Sequence, residues 1–126
     1  MARVHVFADE AGDFTFLRQR GASTYFIIGT VTMADCSAGE ELLALRRELA
    51  WRGTVLEGFH ATNDRQWVRD QVYDLISRSD IRIDVTILDK SKRHSHVRAD
   101  PVYFYKTALY QHFKCVVPQI AHAEMS

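Results

Sequence analysis

The stretch from Ile81 to Ile87 constrains the fold more than any other part of the chain. Its isoleucine and valine residues alternate with Arg82, Asp84 and Thr86. A period of two places successive side chains on opposite faces of a β-strand. The pattern therefore predicts a strand with one apolar face on a core and one solvated face.

Two other apolar runs and three helical patterns accompany this strand. The runs are Val4–Ala8 and Tyr25–Met33, which we expect to pair as a hairpin with a long loop. Helices are predicted from Ser37 to Trp51, from Thr62 or Asn63 to Arg78, and from Asp100 to Pro118, with residues 54–61 irregular or a short strand. A Ser37–Glu40 capping box is expected to open the first helix. Because strands and helices are interspersed, the order predicts an α/β fold with a mixed sheet and flanking helices.

The chain length and composition predict one domain over residues 1–126, because no linker, repeat or low-complexity tract interrupts the 126 residues. A chain of this size can bury roughly two-thirds of the surface that it exposes when unfolded. Cys36 and Cys115 lack metal-binding spacing, and the N-terminus reaches Asp9 and Glu10 before a long apolar run develops. We therefore expect reduced thiols, a cytoplasmic location and no membrane partner.

The formal net charge of zero conceals an uneven distribution of charged residues. Residues 1–64 contain six basic and nine acidic residues, whereas residues 65–126 contain ten and seven. A zero total argues against binding nucleic acid by bulk positive charge. The basic residues concentrate at positions 90–98, where Lys90, Lys92 and Arg93 are candidate contacts for nucleic-acid phosphates. The alternative is an ordinary solvated loop.

An acidic cluster follows the first predicted strand. Asp9, Glu10 and Asp13 surround Gly12, which allows a sharp turn. Hard cations such as Mg²⁺ and Mn²⁺ take oxygen ligands, and open α/β sheets bind ligands beyond the ends of their strands. Asp9 and Glu10 are therefore candidate metal ligands. Neighbours on a regular strand point to opposite faces, so sharing one ion would need a turn at Glu10. The alternative is a solvated acidic turn.

Glu57, His60 and Asp89 are candidates to complete such a site. Glu57 and His60 lie just before the second predicted helix, and Asp89 ends the alternating strand. Glu57 and Asp89 offer further carboxylates, whereas a histidine can bind metal or phosphate, or act as a general base near neutral pH. The alternatives are a histidine in a turn and an aspartate in a turn at the end of a strand.

Five short motifs occur in an order that resembles a known family. They are FADEAGD at residues 7–13, YFIIG at 25–29, FHAT at 59–62, DK at 89–90 and FY at 104–105. The order and spacing resemble the prokaryotic and phage family called domain of unknown function 3800, although Ala11 stands where that family usually has serine. The resemblance implies a ribonuclease H-like fold and metal-dependent processing of nucleic acid. It matches Asp9 to the leading aspartate, Glu10 to its neighbour, His60 to the middle-motif histidine and Lys90 to the lysine after the later strand.

Two functions follow from these observations. The first is a nuclease dependent on Mg²⁺ or Mn²⁺, with Asp9, Glu10 and His60 as catalytic residues and with Glu57 and Asp89 as additional metal ligands. The resemblance implies a further strand after the last helix, which this sequence lacks, so we expect an incomplete carboxylate set and an uncovered sheet edge or helix face. The second function is therefore a non-catalytic binding module or truncated remnant, acting as a homodimer and binding nucleic acid or a protein.

Overall fold

The fold combines a small β-sheet with α-helices, as predicted. The computed structural model describes residues 3–13, 22–92 and 100–125. Within these residues the strands are β1 (His5–Ala11), β2 (Tyr25–Met33) and β3 (Arg82–Asp89). The helices are α1 (Ser37–Trp51), α2 (Gln66–Arg78) and α3 (Pro101–Met125), and Lys90–Lys92 forms a 3-10 turn.

The described strands form one antiparallel sheet in the order β1-β2-β3. β1 and β2 are neighbours, as the predicted hairpin requires, and the Lys90 N–H after β3 donates to the Thr24 carbonyl before β2 at 3.3 Å. The antiparallel arrangement differs from the mixed sheet that the sequence predicted. Residues 54–65, all of which the structure describes, form neither strand nor helix. The connection from β2 to β3 therefore contains α1 and α2 but no further strand. A ribonuclease H-like fold stays a prediction.

The described residues fall into two compact units. The first unit contains residues 3–5 and 32–82, and therefore α1 and α2, which pack against each other. The second unit contains the described parts of 6–31 and 83–126, and therefore most of the three strands and α3. The single domain over residues 1–126 stays a prediction.

The core of the second unit lies between the sheet and α3. Phe26 and Ile28 from β2, Leu88 from β3, and Phe104 and Ala108 from α3 form one buried cluster. Phe104 and Ala108 are four residues apart and so lie on the same side of the helix. The Phe26 and Phe104 rings meet edge to face with centroids 5.1 Å apart, a geometry that adds about 0.5–1.5 kcal/mol to the stabilisation from burial.

β3 is a strand as predicted, but its two faces are the reverse of the predicted ones. Ile83, Val85 and Ile87 are 56, 57 and 62% exposed. Leu88 lies in the core and the Thr86 hydroxyl is hydrogen-bonded to a histidine of α3, so these two residues mark the face against the helix. The period of two predicts a strand without saying which face is covered. Here polar residues lie on the inner face because α3 supplies a hydrogen-bond partner.

α1 spans the predicted residues, but the predicted capping box is wrong. Cys36, not Ser37, occupies the N-cap position, and its carbonyl accepts the Glu40 N–H at 3.1 Å. The Asp35 carboxylate accepts the Ser37 N–H at 3.0 Å. Hydrogen bonds from the Ser37 hydroxyl and amide favour the ionised carboxylate and hold the pKa of Asp35 below its ordinary value of 3.8.

α2 begins later than predicted, at Gln66 instead of Thr62 or Asn63. The residues before it form a turn in which the Asp64 carboxylate accepts the His60 N–H at 2.7 Å. The Asp64 N–H donates to the His60 carbonyl at 3.0 Å, which closes the same turn. Asp64 is therefore occupied in holding this turn, and the helix starts only after it.

α3 begins as predicted but does not end at Pro118. The Asp100 carboxylate accepts the Val102 N–H at 3.0 Å, as expected of an N-cap. The helix then continues through Pro118 to Met125. Proline removes one main-chain donor, and the Gln119 side-chain amide donates to the Cys115 carbonyl at 3.1 Å in the same turn. None of the described helices is long and apolar enough to cross a lipid bilayer.

Candidate functional site

Asp9 and Glu10 lie within β1, and both are exposed. The strand continues regularly to Ala11, so the turn at Glu10 that would let these two side chains share an ion does not form. Their carboxylates therefore point to opposite faces of the strand. One Asp9 oxygen, Oδ1, accepts the N–H of Glu10 at 2.9 Å. The pair offers two separate acidic groups to solvent.

The turn after β1 is made by Gly12, as the sequence predicted. Its φ of +103° is in the left-handed region that glycine tolerates best. A Cβ atom at this position would lie 2.6 Å from the Tyr25 carbonyl oxygen and 3.1 Å from Ser23 Oγ. Any side chain here would therefore clash with the start of β2.

One polar cluster of the second unit joins Asp13, Ser23 and Lys90. Asp13 and Ser23 exchange two hydrogen bonds of 3.0 Å, each main-chain N–H donating to the other's side chain. The Lys90 ammonium donates to Asp13 Oδ1 at 2.8 Å, to the Asp13 carbonyl at 3.3 Å and to Ser23 Oγ at 3.1 Å. The Lys90 side chain is only 5% exposed. Its three N–H donors thus face protein acceptors, and contact with a phosphate would require that arrangement to open.

Asp89 ends β3 and Lys90–Lys92 follows it as a 3-10 turn. Asp89 Oδ1 accepts the Ser91 N–H at 3.0 Å and the Ser91 hydroxyl at 2.7 Å. This is the turn that the sequence offered as the alternative to a metal ligand. β1 and β3 lie on either side of β2, so their backbones are about 10 Å apart, twice the strand spacing. Arg93 lies outside the described residues, and its predicted phosphate contact stays a prediction.

Glu57 and His60 lie in the first unit, on the segment between α1 and α2, and both are exposed. The segment is tied to α1 by Arg46, whose Nε donates to the Leu56 carbonyl at 2.8 Å. His60 also lines a pocket of about 200 Å³ against one side of α2. The roles of Glu57 and His60 stay predictions, and the sequence gave no sign of the pocket.

A buried histidine in α3 forms a second polar cluster that the sequence did not predict. His112 is fully buried. Its Nε2 atom lies 2.7 Å from Thr30 Oγ1 and its Nδ1 atom lies 2.6 Å from Thr86 Oγ1. A neutral imidazole can donate through one nitrogen and accept through the other, and hydroxyls can take either role. His112 therefore joins α3 to both β2 and β3.

The predicted metal ligands do not gather into one group. Across residues 3–13, 22–92 and 100–125, no three histidine, cysteine, aspartate or glutamate side chains lie close enough together to hold a metal ion. A site for Mg²⁺ or Mn²⁺ stays a prediction.

Comparisons with known proteins give no family for this chain. No family model, no curated protein and no solved structure matches it. The resemblance to the domain of unknown function 3800 family therefore stays a prediction.

Proposed function

We propose that the protein is a non-catalytic binding module that acts as a homodimer, joined through one face of its sheet. We call this the open face; its members are Tyr25, Ile27, Gly29, Val31, Ile83, Val85 and Ile87. In β2 the buried residues alternate with these less buried ones. The observation that carries the proposal is on β3, where the three apolar side chains of the open face are each more than half exposed.

Apolar side chains in a continuous row on a protein surface are typical of a binding site. Burying them would contribute roughly 25 cal/mol for each Å² of apolar surface removed from water. The open face therefore supplies a driving force for association.

A second copy of the chain is the partner that fits this face best. No member of the open face carries a charge, so two such faces can meet without burying an unpaired ion. The whole chain also has equal numbers of acidic and basic residues, so two copies do not repel each other at long range. Contact of one patch with itself through a two-fold axis is the commonest way in which soluble proteins form dimers.

We would measure the mass of three proteins in solution by light scattering, at protein concentrations from about 1 to about 100 µM, a range that spans weak and tight dimers. We expect the parent chain to have twice its monomer mass of 14.5 kDa. Val85→Lys places a charge at the centre of the open face and should give the monomer mass. Val117→Lys is the matched control, because Val117 is 53% exposed but lies on α3. A parent that stays monomeric throughout, or a Val117→Lys variant that dissociates equally, would refute the proposal.

A metal-dependent nuclease is the second candidate function. The observation that favours it is the exposure of Asp9 and Glu10 on an edge strand, where a substrate and a hydrated cation could reach them. Carboxylates that bind Mg²⁺ or Mn²⁺ can stabilise the charge that develops during phosphodiester hydrolysis.

Incubation with single-stranded and double-stranded DNA and RNA in Mn²⁺ tests this candidate. We would compare the parent with Asp9→Asn and with Asp74→Asn, an exposed aspartate of α2 that pairs with Arg78. Cleavage by the parent and by Asp74→Asn, but not by Asp9→Asn, would support a nuclease and overturn the non-catalytic proposal. Equal inactivity of all three at high protein concentration would remove the nuclease candidate for those substrates.

A further inference from the structure

We propose that the exposed side of α1 binds an acidic segment of a partner protein. We call this surface the Trp51 patch; its members are Leu43, Arg47, Ala50 and Trp51, and all four are exposed. The patch lies in the first unit and shares no residue with the open face, so this proposal does not depend on the homodimer.

Trp51 has its indole ring open to solvent. It is 91% exposed, and no large apolar side chain that the structure describes is more exposed. Tryptophan is highly buried on average in folded proteins, and it is enriched among the few residues that dominate the affinity of protein interfaces. Trp51 is therefore a candidate anchor for a partner.

The other members of the patch lie beside Trp51 because of their spacing. Leu43, Arg47 and Trp51 are four residues apart and so lie on one side of the helix, with Ala50 next to them. The fully buried Leu49 lies on the opposite side of α1. Arg47, Ala50 and Trp51 line an open depression of about 420 Å³. A partner thus meets aliphatic, aromatic and positively charged groups together.

Two hydrogen-bond donors of the patch are available to a partner. Within residues 3–13, 22–92 and 100–125, neither the Arg47 guanidinium nor the Trp51 indole N–H has a hydrogen-bond or ion-pair partner. The nearby Glu48 carboxylate accepts from Arg52 at 2.6 Å instead. A guanidinium pairs with a carboxylate through two parallel hydrogen bonds, and an indole N–H finds an acceptor when an interface buries it. An aspartate or glutamate of the partner would supply these acceptors.

The distribution of charge along α1 also favours an acidic partner at this end. Residues 46–52 contain three arginines and one glutamate, whereas Glu40 and Glu41 lie in the first part of the helix. A carboxylate is therefore attracted to the Arg47 end and repelled from the other end. Contact between two copies of the patch would bring like charges together, so a second copy of this chain does not fit it.

Single-stranded nucleic acid also combines negative charge with groups that stack on tryptophan, but the patch favours a protein. Proteins that bind single strands offer several aromatic rings for successive bases, whereas Trp51 is the one aromatic residue of α1. Leu43 and Ala50 add aliphatic surface, which packs well against an aliphatic side chain. A peptide with carboxylates around an aliphatic residue matches both parts of the patch.

The experiment uses three capped peptides and one oligonucleotide as probes. The peptide EELEE places glutamates on both sides of a leucine, KKLKK reverses the charge and EESEE removes the aliphatic side chain. Oligothymidylate is the probe for single-stranded nucleic acid. We would titrate each probe into the ¹⁵N-labelled full chain and follow the two indole N–H signals, of Trp51 and Trp67, with the backbone amides of residues 43–52.

We expect EELEE to shift the Trp51 indole signal in a saturable way, with a Kd on the order of 1 mM, and to leave the Trp67 signal in place. KKLKK and EESEE should each bind about tenfold more weakly or less tightly still. Equal affinity for either of these two peptides would overturn the proposal, as would the failure of EELEE to shift the Trp51 signal at millimolar concentration. Tighter binding of oligothymidylate than of EELEE at Trp51 would assign the patch to nucleic acid and would also overturn it.

Two variants with matched controls locate the effect. Arg47→Ala and Trp51→Ala should each weaken binding of EELEE about tenfold, measured from the backbone amides. Arg78→Ala removes an exposed arginine of α2 and Tyr110→Ala removes an aromatic side chain of α3 that is 65% exposed, and both should bind as the parent does. Because all four side chains are exposed, each variant should keep the fold, which circular dichroism checks.

Unchanged affinity in Arg47→Ala or in Trp51→Ala would refute the assignment of the patch. Light scattering on Trp51→Ala separates this proposal from the homodimer. We expect the variant to have the same mass as the parent. A lower mass would show that the patch joins copies of this chain, and it would refute binding of an acidic partner there.

Discussion

The Nζ atom of Lys90 lies 2.8 Å from Oδ1 of Asp13, a residue 77 positions earlier in the chain. The contact joins the end of β3 to the turn after β1, across the start of β2. The sequence predicts Lys90 as a phosphate contact and places Asp13 in the acidic cluster that follows the first strand. Their pairing gives each a structural role in fixing one end of the sheet.

Asp13→Ala should lower the free energy of unfolding by about 1.5–3 kcal/mol. The substitution leaves the Lys90 ammonium 5% exposed with fewer acceptors and removes a hydrogen bond to a charged group. The loss is smaller than for a fully buried pair because the Asp13 side chain is 40% exposed to water. Urea unfolding measures the change. The control is Asp74→Ala, which breaks an exposed pair with Arg78 and should cost no more than about 0.5 kcal/mol. Equal losses in the two variants would contradict the structural role of Asp13.

Gly12→Ala and Gly39→Ala should change stability in opposite directions. At Gly12 a Cβ would lie 2.6 Å from the Tyr25 carbonyl oxygen, and φ is +103°, so alanine should destabilise the fold by about 1–3 kcal/mol. Gly39 lies in α1 with nothing within 4 Å of an added Cβ. Alanine there should stabilise by about 0.5–1 kcal/mol because glycine is a poor helix former. Thermal unfolding of the two variants measures whether each substitution lowers or raises stability. An unchanged stability of Gly12→Ala would contradict the predicted clash, because it would show that the turn can adjust.

The existence of the strands and helices could be predicted from the sequence, because their periodicities are local. Which face of β3 packs against α3 could not be predicted. The alternation that puts Ile83 and Thr86 on opposite faces is the same whichever face α3 covers. Similarly, the solvent-exposed acidic residues that include Asp9 can be recognised from the sequence, whereas the partner of Lys90 depends on a contact between distant segments. The candidate residues could thus be named from the sequence, but which of them meet is decided by tertiary packing.

The pKa of Asp35 should be measurably below 3.8 and should rise in Ser37→Ala. The Ser37 hydroxyl and amide donate to the carboxylate and favour its charged form. A carboxyl whose pKa is lower in the folded state stabilises the fold above its unfolded pKa, and that contribution is lost as the pH falls through the folded value. Titration of the Asp35 side-chain carbon by NMR measures the shift. Ser77→Ala, a change in α2, is the control and should leave the Asp35 titration unchanged. A pKa at or above 3.8 in the parent would contradict the hydrogen bonding at the start of α1.

The hydrogen bonds of His112 should make its substitution non-additive with that of Thr30. His112→Leu leaves the Thr30 hydroxyl, which is 1% exposed, without its 2.7 Å partner and should cost about 2–3 kcal/mol. Thr30→Val alone leaves His112 Nε2 without its hydrogen-bond partner and should lower the free energy of unfolding by about 1–2 kcal/mol. In the double variant both polar groups are gone, so the total loss should be smaller than the sum by about 1 kcal/mol or more. Urea unfolding of the four proteins gives this coupling energy.

Thr62→Val, at an exposed threonine of the first unit, is the control and should show no coupling with His112→Leu. Strict additivity of the His112 and Thr30 substitutions would show that their contact does not stabilise the packing of α3 on the sheet.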